Sequence, residues 1–175
     1  LDFMMQNGQL DGIVLGASPS WFNDSLEKRY LWTKGFYRDR DEFISLKSSP
    51  FEFENQLSFV DKTVVCVAGF YYSGINESVK NGTLTRINTV GEKEVLQLIE
   101  KKRATFGLVS RSVLKYLQKN ESVADIYHLS SIPHDSFDRR AFTTKDNQLI
   151  YDEFEMLLEK VIGSEQWQKI ISQYE

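Results

Sequence analysis

Cysteine is almost missing from this sequence. Cys66 is the only one in 175 residues, which excludes an internal disulfide and any cysteine-rich zinc site. Two histidines, His128 and His134, leave little for metal chemistry, so neither a metal nor a cofactor is expected. No run of about 18 apolar residues occurs, so no membrane-spanning helix is expected. A basic block is absent as well. The 21 Lys and Arg against 25 Asp and Glu leave a formal charge of −4, without the positive footprint that nucleic acid requires. No motif pairs two carboxylates, or a carboxylate and a histidine, so the residues do not point to an enzyme. What is present is ordinary for a folded chain: 26% charged and 41% apolar residues, at a length that suits one domain or two small lobes. Aromatic residues are plentiful at 13%, and their placement carries most of the information.

The chain opens at Leu1 without an initiator Met, and Leu1-Asp2-Phe3-Met4-Met5-Gln6-Asn7-Gly8 reads as the last turns of a helix ending on a glycine. Ile13-Val14-Leu15 reads as a short buried strand, broken by Gly16-Ala17-Ser18-Pro19-Ser20. Open α/β sheets bind ligands at such strand ends. Asp24 to Arg29 fits one helical turn, and Glu42 to Leu46 fits a strand. The polar stretch Lys47-Ser48-Ser49-Pro50 is a candidate boundary.

From residue 63 the rhythm sharpens. Thr63 to Ala68 is β-branched and apolar, a buried strand, followed by the loop Gly69-Phe70-Tyr71-Tyr72-Ser73-Gly74. Ser73 fits the N-cap of a helix through Lys80. Strand Leu84–Thr89, helix Gly91–Lys102, strand Thr105–Val109, helix Ser110–Lys119 and strand Asp125–Leu129 follow in alternation, which predicts βαβ units and a largely parallel sheet. A strand over Arg139–Thr143 and amphipathic helices over Asn147–Gly163 and Glu165–Tyr174 complete the chain, the first with Leu149, Ile150, Phe154, Leu157, Leu158 and Val161 on its apolar positions.

Four blocks in this order resemble the type II periplasmic solute-binding proteins, the family 3 class that includes extracytoplasmic amino-acid-binding components of ABC importers. They are Met5 to Val14 with Gly16-Ala17-Ser18, Trp32-Thr33-Lys34-Gly35-Phe36-Tyr37, Phe59 to Val67, and Ile162-Gly163-Ser164 through Ile170 to Tyr174. The resemblance implies an α/β fold of two lobes joined by a two-strand hinge near Phe43–Leu46 and Arg140–Thr143. Lobe 1 is expected over 1–46 and 136–175, and lobe 2 over 47–135. The family carries a further strand, helix and strand before the first block, so the resemblance implies an incomplete first lobe with its N-terminal part missing. The implied function is non-catalytic capture of a small solute between the lobes, in the periplasm or another extracytoplasmic space, with an ABC permease as membrane partner. The same fold also implies a second reading, a ligand-sensing module of a signalling or cell-wall-acting protein.

Gly16 and Ser18 match the family's ligand loop, but Asn23 stands where the carboxylate-clamping arginine is usual; Arg29 is the nearest substitute. Ser110, followed by Arg111, stands where an aspartate usually receives the ligand ammonium, and a neutral hydroxyl does not compensate a buried cation. Phe70, Tyr71 and Tyr72 replace small residues in the second lobe's loop. A standard free α-amino acid is therefore not the expected ligand. The candidate ligand residues are Gly16, Ser18, Trp21, Phe70, Tyr71, Tyr72, Ser110 and Arg111, with the rings sandwiching a flat or apolar solute and Arg111 facing an anionic group. Against this, Trp21 fits packing more readily than a pocket, Tyr71 and Tyr72 fit either, Ser18 and Ser110 equally fit helix caps, and Arg111 fits a solvated helix position more readily. His128 reads as a hydrogen-bonded structural residue and Cys66 as a buried inert thiol.

Overall fold

A computed structural model describes residues 10–120 and 125–174; the expected helix end over 1–8 lies outside them. The described residues divide into two compact units, one over 10–39 and 137–173, the other over 40–136 with Tyr174. Two long strands, β3 (Tyr37–Leu46) and β8 (Asp135–Thr144), are hydrogen-bonded neighbours. Each contributes to both units, the chain passing from one unit to the other between Asp39 and Arg40 and between Ser136 and Phe137. These crossings lie three to four residues nearer the N-terminus than the expected hinge segments on both strands.

The second unit is built on the strand–helix rhythm of residues 62–120. Strands β4 (Lys62–Val67), β5 (Leu84–Thr89) and β6 (Phe106–Ser110) are parallel, with β4 between the other two. Helix α1 (Ile75–Lys80) follows β4, α2 (Glu92–Glu100) follows β5 and α3 (Arg111–Asn120) follows β6. Successive strand side chains point to opposite faces, and the cores divide accordingly. Val64, Cys66, Phe106 and Leu108 join Ile75 of α1 and the rings of Phe43, Phe51 and Phe59 on one face. Val65, Val67 and Val109 join Val95, Leu96 and Ile99 of α2 and Leu114 and Leu117 of α3 on the other. Phe51 stacks on Phe106 with ring centroids 4.0 Å apart. Gly107 has no room for a side chain, because a Cβ there would lie 2.5 Å from Val95 Cγ1.

The expected parallel sheet holds for these three strands and stops there. β7, only Tyr127–Leu129, pairs antiparallel with the end of β3, and β3 is antiparallel to β6. Strand β7 follows α3 directly in sequence, but it pairs with a strand that runs the other way. The 47–50 stretch is a turn within the second unit, with the Ser49 N–H donating to Leu46 O at 3.0 Å.

The first unit centres on β8. It takes β1 (Val14–Ala17) on one side and β2 (Tyr30–Trp32) on the other, both antiparallel. Ala17, Tyr30, Trp32 and Phe142 form its small core. Strand β1 differs from the buried strand expected: Leu15 is 64% exposed, and among the described residues β1 pairs only with β8. Asp24 to Arg29 is irregular chain rather than a helical turn, and Asp24 explains why. Its buried carboxylate accepts the N–H groups of Lys28, Arg29 and Tyr30 and the indole N–H of Trp32. A side chain that satisfies three successive backbone donors replaces the helical ladder. Burial acts to raise the Asp24 pKa, and these hydrogen bonds outweigh it and hold the carboxyl below its ordinary value.

Helices α4 (Gln148–Ile162) and α5 (Glu165–Ile171) end the first unit. The Ser164 side chain caps α5 by accepting the Trp167 N–H at 3.1 Å. The apolar periodicity of α4 predicts a buried stripe, yet only Leu158 is buried, while Leu149, Met156 and Leu157 are exposed. Among the described residues no helix is long and apolar enough to cross a membrane.

Candidate functional site

The C-terminal ends of β4, β5 and β6 gather the chemistry of the second unit. Parallel strands place their following loops along one sheet edge. Here that edge carries the 68–74 loop after β4, the 90–91 turn after β5, and Ser110-Arg111 at the start of α3.

The three rings of the 68–74 loop part company. Phe70 and Tyr71 are 59% and 68% exposed, whereas Tyr72 is 6% exposed and belongs to the core with Ile75 and Phe59. Tyr72 is thus a packing residue rather than a cleft ring. Its backbone N–H is tied to Asn76 Oδ1 at 2.9 Å, and burial, with the carboxylates of Asp41 and Glu92 nearby, raises its phenol pKa. The Tyr71 hydroxyl donates to the Glu77 carboxylate. The expected Ser73 cap is absent: Gly74, at φ 77°, precedes α1 and no side chain caps the helix. A glycine takes that backbone without strain.

Arg86 organises this loop from below. It lies on β5, and its Nη2 donates to the carbonyls of Val67 and Phe70 at 2.9 and 3.1 Å. Its Nη1 reaches Asn76 Oδ1 at 3.1 Å and its Nε reaches Asn88 Oδ1 at 2.9 Å. The guanidinium sits 5.6 Å from the Tyr72 ring centroid, within cation–π range. An open groove of about 320 Å³ results, lined by Gly69, Phe70, Tyr71, Asn76, Arg86 and Asn88.

Ser110 and Arg111 are engaged. The Ser110 N–H donates to Glu92 Oε1 at 2.5 Å and its hydroxyl to Asp41 Oδ1 at 3.0 Å. The hydroxyl therefore stands beside two carboxylates, neither of which the sequence pattern had singled out. The Arg111 Nε donates at 2.6 Å to Glu42, whose side chain is 1% exposed. That ion pair gives Arg111 the task of neutralising a buried carboxylate, which differs from the free anion-facing role expected for it.

In the first unit, Gly16, Ser18 and Trp21 follow β1. Gly16 adopts φ 74°, and its carbonyl accepts Arg139 Nη1 at 3.0 Å. Ser18 is buried, within 3.1 Å of the Ser20 hydroxyl, and makes no side-chain cap to the turn Pro19–Phe22. Trp21 packs edge-on against Phe137 at 4.8 Å with the Arg139 guanidinium 5.9 Å from its ring. Asn23 occupies a left-handed turn position at φ 52°, and Arg29 donates to Phe22 O at 3.1 Å, so neither is poised as a clamp. Arg139 is the arginine that sequence spacing overlooked. It is held by Asp39 at 2.8 Å, and lies more than 100 positions along the chain from the loop it serves.

The histidines and the cysteine are structural. His128 Nε2 lies 2.7 Å from Glu52 Oε1, and His134 Nε2 lies 2.9 Å from Ser73 O with its ring against Phe43 and Tyr72. Burial pushes the Cys66 thiol up to about 12, far from a reactive thiolate. Among the described residues no cluster of three His, Cys, Asp or Glu side chains fits a metal ion.

No family model matches the sequence, and no curated protein matches it. Solved structures do match over nearly the whole chain. The GluR0 ligand-binding core from Nostoc punctiforme, in complex with L-glutamate, superposes with a TM-score of 0.73 at 10% identity, over 99% of this chain and 76% of that one. A mutant of ArgBP from T. maritima gives 0.71 at 14% identity, over 98% and 71%. The substrate binding protein of an amino acid ABC transporter gives 0.70 at 14%, over 98% and 73%. The fold is that of the type II periplasmic binding proteins. Phe70 and Tyr71 stand exposed on the loop after the first parallel strand of the second unit.

Proposed function

We propose that this chain is a non-catalytic solute-binding module, working outside the cytoplasm as the substrate-binding component of an ABC-type importer. One observation carries the reading. Phe70 and Tyr71 stand exposed at the strand-end edge, on a loop that Arg86 holds with two carbonyl hydrogen bonds. Exposed rings on a rigidly supported loop are a binding surface more readily than a packing one. The solute-binding proteins of similar fold support the class of function.

The ligand is a small solute other than a standard free α-amino acid. In the second unit Arg111 is committed to Glu42; in the first, Arg139 is committed to Asp39 and the Gly16 carbonyl. Arg139 has no open fork for a carboxylate clamp, and the charge of Arg111 is already matched by Glu42. Gly16, Ser18 and Trp21 are the ligand candidates of the first unit, and Phe70, Tyr71 and Ser110 those of the second.

A thermal-shift screen of amino acids, short peptides, aromatic acids, polyamines and simple sugars tests this. A true ligand at 100 times its dissociation constant adds about 2.7 kcal/mol, a shift of a few degrees. Tyr71→Ala should remove the response without lowering the unliganded melting temperature, because the ring is exposed. Response to none of these solutes would defeat the reading. The GluR0 core favours one alternative, the ligand-binding core of a larger receptor. A ligand response with no effect on uptake by cells producing the protein would select it.

A further inference from the structure

We infer that the groove beneath Phe70 and Tyr71 takes a planar aromatic ring bearing a carboxylate, recognised by the side-chain amides of Asn76 and Asn88. This deepens the solute-binding reading and rests on it.

Arg86 sets the orientation of both amides. A guanidinium has five N–H donors and no acceptor. Nε and Nη1 point at Asn88 and Asn76, at 2.9 and 3.1 Å. Each asparagine must therefore turn its carbonyl oxygen toward Arg86, since an amide NH₂ facing a guanidinium would set donor against donor. The Tyr72 N–H, at 2.9 Å from Asn76 Oδ1, fixes that same orientation independently. The consequence falls on the opposite side of each amide. Both NH₂ groups face away from Arg86, and neither has a partner among the described residues.

The two amides come from different elements, Asn88 from β5 and Asn76 from α1, and both line the groove. Arg86 and Asn88 are two positions apart on one strand and so share a sheet face. Beside these donors stand the rings of Phe70 and Tyr71, with Gly69 between them and β4. Arg86 is the only charged residue lining the groove, which favours an anion. Four of its five N–H groups are spent on the protein, so the ligand would be met chiefly by the neutral amides that the cation orients. The Tyr71 hydroxyl is spent on Glu77, leaving the face of its ring for stacking. The groove, about 320 Å³, is open to solvent, so a flat ligand would lie against it with one face uncovered. Paired donors, a positive field and two rings together select an aromatic carboxylate over an aliphatic acid, an amine or a sugar.

The test uses isothermal titration of the full chain with benzoate and indole-3-acetate as probes, and with acetate and benzylamine as controls. Asn76→Asp and Asn88→Asp are the decisive variants. Each keeps an oxygen for Arg86 and replaces the outward donor by an acceptor, so the loop keeps its support while the recognition reverses. The expected result is saturable binding of an aromatic acid, weaker binding of acetate, and a loss of about tenfold or more in each variant, the scale of one hydrogen bond to a charged group. Equal affinity in wild type and variants would overturn the inference, as would no saturable binding of either aromatic acid. An amino acid or peptide that stabilises wild type and the double variant alike would leave solute binding standing and sink only the ligand class. Silence to every compound would sink both.

Discussion

The two units differ in how completely they bury themselves. In the second, helices lie on both faces of β4, β5 and β6, and the apolar side chains of those strands pack into two clusters. In the first, a core of four buried residues gathers around Phe142, while α4 shows Leu149, Met156 and Leu157 to solvent. The contrast teaches that the fold's stability is unevenly held. The second unit relies on hydrophobic layers. The first relies more on polar knots such as Asp24, which ties Lys28, Arg29, Tyr30 and Trp32 together. Local unfolding free energies follow buried apolar contact, so the first unit should open before the second.

All three tryptophans, Trp21, Trp32 and Trp167, belong to the first unit, so their emission reports it alone. The largest effect should come from Phe106→Ala, which deletes the ring stacked on Phe51 at a cost of about 4 kcal/mol. Urea unfolding followed by far-ultraviolet dichroism should show it. Next is Asp24→Ala, at about 3 kcal/mol, since four donors lose their acceptor. It should move the tryptophan transition more than the dichroism transition. Coincident shifts would break the comparison, because the units would then unfold as one.

A smaller effect concerns acid. Glu52 is held at about 2 from an ordinary 4.5, chiefly by the Ser131 N–H acting against burial, with the hydroxyls of Ser130 and Ser131 and His128 adding to it. A depressed carboxylate stabilises fully above its unfolded value and loses that contribution as pH falls through its folded value. Wild type should therefore lose stability between about 4.5 and about 2, and Glu52→Gln should flatten that slope. The side chain is 45% exposed, so solvent screening keeps the effect modest. The smallest change is Leu149→Ser on the exposed face of α4, which should stay within about 0.5 kcal/mol. A cost several times larger would mean that this face is buried in solution, and would sharpen the comparison into a search for what covers it.

Much of the second unit was legible because its signals are periodic. Val95 and Ile99 fall on one helical face, and Val64 to Val67 alternate between two packed layers. Strand direction was less legible. Three residues, Tyr127–Leu129, carry no mark of the neighbour they pair with, and β2 is equally short. At the site, the order of residues brought Phe70, Tyr71 and Tyr72 together but not their separation into two exposed rings and one ring packed in the core. Arg86, Asn88 and Arg139 were invisible for a different reason. Arg86 and Arg139 act on residues far along the chain or on another element, and Asn88 gains its place only through Arg86, so no local spacing encodes the meeting.

The way β3 and β8 carry the chain between the units has a consequence for the order of folding. Apart from Tyr174 the second unit is one continuous stretch, residues 40–136, whereas the first is assembled from two segments on either side of it. Strands β1 and β2 find their partner β8 more than 100 positions away, as Trp32 does with Phe142. Joining ends across so long a flexible loop is entropically expensive and slow. Once residues 40–136 have collapsed into their own core, that loop is a compact body with fixed exits. The second unit thus acts as a scaffold for the first, and a nascent chain emerging from the ribosome would hold β1 and β2 unpaired until the final strand appears.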